Sequence, residues 1–377
     1  MTTNGNDNAP FPSWPHPDAG SSEFPARQRG LTDGRPVLTA AVLTAGSWGT
    51  VFAKILADAG RRVTLVTRDE ALAAAINAEH RNPRYLPGIR LPDLVRATHH
   101  PAEALAGAGL VVLAVPSQRL RAALAAWAPL VEPSAVYVSL MKGVEDGTCR
   151  RMSEVIGEVA GVGADRIAVV SGPNLAGEIA AEDPAATVVA SASSATAAQV
   201  QAACWTPYLR PYTNADVVGC ELGGAVKNVI ALAAGMLEGL GFGLNSLASL
   251  ITRGLAETTR FAVAMGADPR TLAGLAGLGD LVATCASPRS RNRTFGAKLG
   301  RGMTLDAVLA EQRQVAEGVR SCRPLLALAD GLGVHMPISR QVERVLYEGL
   351  PPLEAVKELM SREPGPEFHA VAPVPPS

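Results

Sequence analysis

The sequence predicts an α/β chain, with a doubly wound parallel-sheet domain first and an all-α domain after it. Three observations carry that expectation. Short apolar runs that end in turns recur through the first half, "PVLTAAVLT", "GLVVLAVPS", "AVYVSLMKG" and "RIAVVSGP", as strands buried on both faces of a parallel sheet do. The first run feeds a glycine turn, an amphipathic helix and a second strand, Val63 to Val66, which together make one βαβ unit. Past about residue 210 the chain turns to long Ala- and Leu-rich helical stretches, "GGAVKNVIALAAGMLEGLG", "SLASLITRGLAETTRFAVAMG" and "SCRPLLALADGLG", with few strand candidates between them.

The ends read differently. Residues 1–36 are rich in Pro, Gly, Asn and Ser and lack the apolar core of about 7–15 residues that a secretory signal needs, and residues 364–377 are Pro-rich. Both are expected to be disordered tails, leaving domains at 37–210 and 211–363. A ligand would sit at the carboxyl edge of the sheet, beneath the helical domain.

Composition excludes several functions. In 377 residues, 34 Lys and Arg face 35 Asp and Glu, so no broad basic footprint for nucleic acid or anionic membrane exists. Hydrophobic residues are 47% of the chain, yet charges interrupt the apolar runs before the roughly 20 residues that span a bilayer. No membrane span is expected. The cysteines (Cys149, Cys204, Cys220, Cys285, Cys322) lack CxxC or Cys/His ligand spacing, which predicts neither a disulfide framework nor a metal site and fits a reducing cytoplasm.

The stretch "LTAGSWG" nearly spells a dinucleotide fingerprint, with Thr44 where the first glycine should stand. Gly46 and Gly49 lie between strand and helix, where one admits a pyrophosphate to the backbone and the other lets helix and strand pack closely. The amides of Ser47 and Trp48 would point at the phosphate. A β-branched residue suits positive φ poorly, so the loop either turns with ordinary angles or holds a strained residue. Arg68, nineteen residues past Gly49 at the end of the second strand, stands where an arginine would hold the 2′-phosphate of NADP. NADPH is therefore the preferred cofactor, with NAD possible.

Three later segments hold groups that a cleft could gather: "MKG" at 141–143, "GGAVKNV" at 223–229 and "GLGDLVAT" with "SRN" at 277–292. Lys227 lies in an otherwise apolar helical run, where an ammonium is costly unless its pKa drops or it finds partners. Arginines 289, 291 and 293 alternate on a loop entering a helix, and a guanidinium fork suits phosphate.

With "GSWGT" and "SGPNLAGE", these segments resemble the bacterial NAD(P)-dependent glycerol-3-phosphate dehydrogenases, over about residues 38 to 360. The resemblance implies a Rossmann domain and reversible reduction of dihydroxyacetone phosphate to sn-glycerol 3-phosphate. It implies that Lys227 is the general acid/base, that Lys142 is a second cleft lysine touching substrate and cofactor, and that Asp280 holds the lysine and the substrate hydroxyl. Asn228 and Thr284 would add hydrogen bonds around them. Ser290, Arg291 and Asn292 would meet substrate phosphate, Arg291 also the cofactor. Backbone at Gly172 and Asn174 would meet the substrate, and Ala176 the nicotinamide, while Val315 and Glu317 match distal cofactor contacts. The outer arginines read as surface.

Thr44, Met141 before Lys142, Gly177 where the family commonly has lysine, and "NSLASLITRG" depart from the family pattern. Two other readings remain: a related dehydrogenase acting on another phosphorylated or acidic hydroxy compound, and a catalytically silent NADP-binding protein. The partner is a small phosphorylated substrate, and the Ala- and Leu-rich helices could supply a homodimer face.

Overall fold

The computed structural model describes residues 38–311, 316–363, 365 and 367, within a compact unit that begins at Val37. The expected tail 1–36 and most of 364–377 lie outside the described residues. The first half alternates strand and helix. It runs β1 (Thr39–Leu43), α1 (Ser47–Asp58), β2 (Arg62–Val66), α2 (Glu70–Glu79), β3 (Val95–Thr98), α3 (Pro101–Leu105), β4 (Leu110–Leu113) and α4 (Leu120–Trp127). There follow β5 (Val136–Ser139), α5 (Met152–Ala160), β6 (Ile167–Ser171), α6 (Ala176–Ala180), β7 (Ala185–Ala190), α7 (Ser194–Cys204) and β8 (Leu209–Asn214).

These strands form one eight-stranded sheet in the order β3-β2-β1-β4-β5-β6-β7-β8. Every pairing is parallel except β6 with β7. Strand order reverses between β1 and β4, which opens a crevice at their carboxyl ends. Register sharpens that edge, since Leu43 pairs with both Val66 and Leu113, and Leu113 with Ser139. The loops that follow β1, β2, β4 and β5 therefore leave from one line. β4, β5 and β6 are buried along their whole length, which is why they read as unbroken apolar runs.

The sheet exceeds the expected one by β3, β7 and β8, and it extends to Asn214. β3 reads "VRAT", too short for a periodicity signal. β8 reads "LRPYTN" with buried and exposed residues alternating at its start. Pro211 is tolerated there because β8 is an edge strand.

The second half contains only helices among the described residues: α8 (Val217–Gly239), α9 (Leu244–Ala264), α10 (Pro269–Ala273), α11 (Asp280–Ala286), α12 (Arg291–Gly300), α13 (Leu305–Glu311), α14 (Glu317–Gly331), α15 (Pro337–Tyr347) and α16 (Pro352–Met360). α8 is the hub, packed by α9, α11, α12 and α14. Contrary to the expectation from its charges, α8 is long and apolar enough to cross a membrane by length and composition, but 89% of its apolar window is buried inside the protein. It is the core of the helical half. α8 and α12 meet backbone to backbone: a Cβ on Gly235 would lie 1.9 Å from the Arg293 carbonyl oxygen, and one on Gly296 would lie 2.0 Å from that of Leu232. That close approach fixes α12 relative to the helix that carries Lys227.

Candidate active site

At the β1–α1 turn, Thr44 adopts φ +93°, a conformation that costs a β-branched residue about 1–3 kcal/mol. The turn thus holds a strained residue. Its hydroxyl donates to the Ala114 carbonyl at 2.8 Å, anchoring the turn to the end of β4. A Cβ on Gly49 would lie 2.3 Å from the Thr44 carbonyl oxygen and 3.1 Å from the Ala114 Cβ. No side chain fits there. Around Gly46 nothing stands within 4 Å of such a Cβ, so the approach to the backbone is open. Gly46 caps α1 with no side-chain hydrogen bond, leaving the first-turn amides, Ser47 and Trp48 among them, to face an anion.

Arg68 leaves the end of β2 exposed. The adjacent Asp69 does not neutralise it: its carboxylate caps α2 through the Leu72 amide and pairs with Arg84 at 2.5 Å. Among the described residues no ion pair holds Arg68.

Deeper in, three charges converge from distant parts of the chain. Lys142 follows β5, Lys227 sits mid-way along α8, and Asp280 opens α11 after a single π turn over Leu275–Gly279. Asp280 is 1% exposed, and its two oxygens accept separately, Oδ2 from Lys142 Nζ at 2.6 Å and Oδ1 from Lys227 Nζ. Thr284, one helical turn beyond Asp280, accepts from Lys227 at 2.6 Å. Lys142 also donates to the Gly172 carbonyl at 3.0 Å, which ties the trio to the β6–α6 turn. Burial pulls Lys227 down to about 7; the Asp280 charge opposes that shift and the Lys142 charge assists it.

Asn228 does not join them as expected. One residue along α8 its side chain points elsewhere, and Oδ1 accepts from Asn292 Nδ2 at 2.9 Å while Asn292 Oδ1 accepts from the Gly318 amide at 3.0 Å. This second cluster clamps α8, α12 and α14. Ser290 caps α12, its Oγ accepting from the Arg293 amide at 3.3 Å. Arg291 opens α12 and lies within electrostatic reach of Glu317, whose carboxyl is nevertheless raised above the usual range by burial. Glu317 opens α14, and Val315 lies outside the described residues.

Ala176 opens α6, and Gly172 has φ +134° with Thr187 close behind it. Arg293, expected at the surface, is a partly buried partner of Glu238 at 3.2 Å. Sequence reasoning missed Ser117, whose hydroxyl donates to Glu317 at 2.8 Å across 200 residues. Its only signal was its place after β4, on the same sheet edge as the glycine turn.

A switch-point crevice, a glycine turn on an uncapped helix and a desolvated lysine beneath a helical domain together define a dinucleotide-dependent dehydrogenase. Residues 39–197 match the N-terminal part of the NAD-dependent glycerol-3-phosphate dehydrogenases, and residues 216–357 match their C-terminal part. The chain belongs to the NAD-dependent glycerol-3-phosphate dehydrogenase family. It is 82% identical over 329 residues to the glycerol-3-phosphate dehydrogenase [NAD(P)+] of Parafrankia sp. (strain EAN1pec), a match covering 87% of this chain and 98% of that one. The enzyme of the same name from Streptomyces avermitilis is 63% identical with the same coverage. Among solved structures, the glycerol-3-phosphate dehydrogenase of Coxiella burnetii superposes with a TM-score of 0.82 at 37% identity, over 86% of this chain and 99% of that one.

Proposed function

We propose that this chain reduces dihydroxyacetone phosphate to sn-glycerol 3-phosphate, reversibly, with NADPH as the preferred cofactor and NAD as an alternative. The observation that carries the reading is the Lys142–Asp280–Lys227 trio, in which a buried lysine titrates near neutrality. The chain's own groups fit the cofactor: the cradle at Gly46, the forced glycine at Gly49 and the bare α1 N-terminus suit a pyrophosphate, and Arg68, which no ion pair holds among the described residues, suits a 2′-phosphate. When bound, the cofactor supplies hydride to the substrate carbonyl carbon.

Every other part of the chemistry belongs to the protein. Lys227 gives its proton to the carbonyl oxygen in reduction and takes it back in oxidation, and a pKa near 7 suits both directions. Asp280 holds both ammoniums in place and Thr284 fixes the direction of Lys227. Lys142 lowers the Lys227 pKa by like charge and adds a cation beside the substrate. Arg291, at the start of α12 beside Ser290 and Asn292, receives the substrate phosphate, with Glu317 on its cofactor side. Asn228 supports that surface through Asn292 rather than touching the reacting oxygen. In this reading the sheet half binds the cofactor and the helical half binds the substrate.

Absorbance at the nicotinamide band, followed with dihydroxyacetone phosphate and a panel of other phosphorylated ketones under NADPH and NADH, tests the proposal. Fastest turnover of a different ketone would replace the substrate, and no turnover of any would leave only a binding protein.

A further inference from the structure

The end of β2 carries two contradictory signals side by side. Asp69 stands twenty residues past Gly49, directly after Arg68. An acidic group at that distance from the fingerprint takes the 2′-hydroxyl of an NAD ribose and repels the 2′-phosphate of NADP, whereas an arginine there has the opposite preference. What else touches Asp69 therefore decides which signal the cofactor meets.

The loop between α2 and β3 supplies that partner. Asn82 is wholly buried, and its amide ties the loop to the dinucleotide turn: Nδ2 donates to the Ala45 carbonyl at 3.0 Å and to Thr50 Oγ1 at 2.8 Å. Its Oδ1 accepts from the backbone amides of Arg84 at 3.2 Å and Tyr85 at 3.1 Å. A buried amide whose donors and acceptor are all engaged acts as a rigid pin. It sets Arg84 beside the end of β2, where the guanidinium pairs with Asp69 Oδ2 at 2.5 Å, while Asp69 Oδ1 caps α2 through the Leu72 amide. Both carboxylate oxygens are thus engaged within the protein. The pair is nevertheless open to a ligand, its side chains being 54% and 35% exposed.

We propose that Arg84 is a specificity-determining residue: by engaging the Asp69 carboxylate it withdraws the group that favours a ribose 2′-hydroxyl and leaves the end of β2 to Arg68 and a 2′-phosphate. Arg84 acts through Asp69, whereas Arg68 acts on the phosphate itself. An exposed ion pair of this kind adds little to stability, so its consequence is the charge it masks. The inference rests on the cofactor reading above and concerns how the balance between NADPH and NADH is set.

Dissociation constants of NADPH and NADH, measured by nicotinamide fluorescence for wild type, Arg84→Met, Asp69→Asn and the double variant, test it. Asparagine at position 69 keeps a cap on α2. Arg84→Met exposes a carboxylate to a phosphate of about two negative charges, so NADPH should weaken about tenfold while NADH changes by less than about threefold. In the Asp69→Asn background the same substitution should weaken NADPH by less than about threefold, because no charge is left to unmask. Equal losses for the two cofactors would overturn the inference by making Arg84 a support of the loop alone. A tenfold loss of NADPH that persists in the double variant would overturn it by placing Arg84 on the phosphate, and an unchanged ratio in Arg84→Met would overturn it outright. Equal affinity of wild type for both cofactors would sink the NADPH preference and not this inference, which predicts the shift in the ratio whatever its starting value.

Discussion

The two parts of the site are built by opposite means. The dinucleotide turn is made of backbone, so what matters at Thr44, Gly46 and Gly49 is φ and the space where a Cβ would go. The proton-transfer trio is made of side chains, drawn from β5, α8 and α11 across sequence separations of 53 and 138 residues. A backbone device can accept a change of residue type where the chain keeps its path, as at Thr44, though not where a Cβ would strike the backbone, as at Gly49. A side-chain device has no such latitude. Substitutions in the trio should therefore cost far more than a substitution at Thr44.

Lys227→Met gives the largest break. It removes the acid/base group and leaves Asp280 with Lys142, so the buried carboxylate keeps one cation. Turnover should fall by about 10²–10⁴-fold, the usual worth of general acid–base catalysis, with NADPH affinity nearly intact. Stopped-flow single-turnover rates check it, and retention of more than a tenth of wild-type kcat would transfer the role to Lys142.

The pH profile is the next largest effect. Burial depresses Lys227 to about 7, so the protonated acid needed for reduction is lost as pH rises through that value, and the neutral base needed for oxidation appears. Reduction should fall by up to about tenfold per pH unit above it, while oxidation falls likewise below it. Initial rates in both directions between pH 5.5 and about 9 would reveal this. Profiles that move together with pH would exclude a single lysine serving both directions.

These contrasts also explain what was legible in the sequence. β4, β5 and β6 were visible because full burial on both faces leaves an unbroken apolar run, whereas β3 and β8 pair at sheet edges with half their residues polar. Lys227 was conspicuous as a charge in an apolar helix. Its links to Asp280 and Thr284 followed from resemblance, since spacing says nothing of groups that meet only through the fold. The direction in which Asn228 points was hidden because one residue is 100° around a helix, enough to move it from the trio to the clamp with Asn292. Ser117 was hidden for the same reason as the trio: its partner lies 200 residues away.

In the backbone device, Arg68→Ala is the most consequential side-chain change. A charge-assisted bond to a 2′-phosphate is worth about 1.5–3 kcal/mol, so the NADPH/NADH ratio of kcat/KM should fall by about tenfold or more, through weaker NADPH binding alone. An unaltered ratio would reduce Arg68 to a surface cation and bring Arg84, now held by Asp69, under scrutiny as the discriminating group.

Thr44 itself should give the smallest effect, and the reason is a near cancellation. Thr44→Gly relieves strain of about 1–3 kcal/mol at φ +93°. It also deletes the hydrogen bond to the Ala114 carbonyl, worth about 0.5–1.5 kcal/mol, and frees the unfolded chain by about 0.4–1 kcal/mol. The net change should lie within about 2 kcal/mol of zero, with NADPH affinity altered by less than about fivefold. Thr44→Val separates the terms: it keeps the β-branch and the strain but loses the anchor, leaving the Ala114 carbonyl without its donor. It should therefore be the less stable of the two variants by up to about 2.5 kcal/mol in denaturant unfolding, because only it retains the strain, offset in part by the chain freedom that glycine alone adds to the unfolded state. If wild type bound no NADPH and Thr44→Gly restored binding, the strained turn would be a relic, and the tolerance ascribed to the backbone device would be wrong.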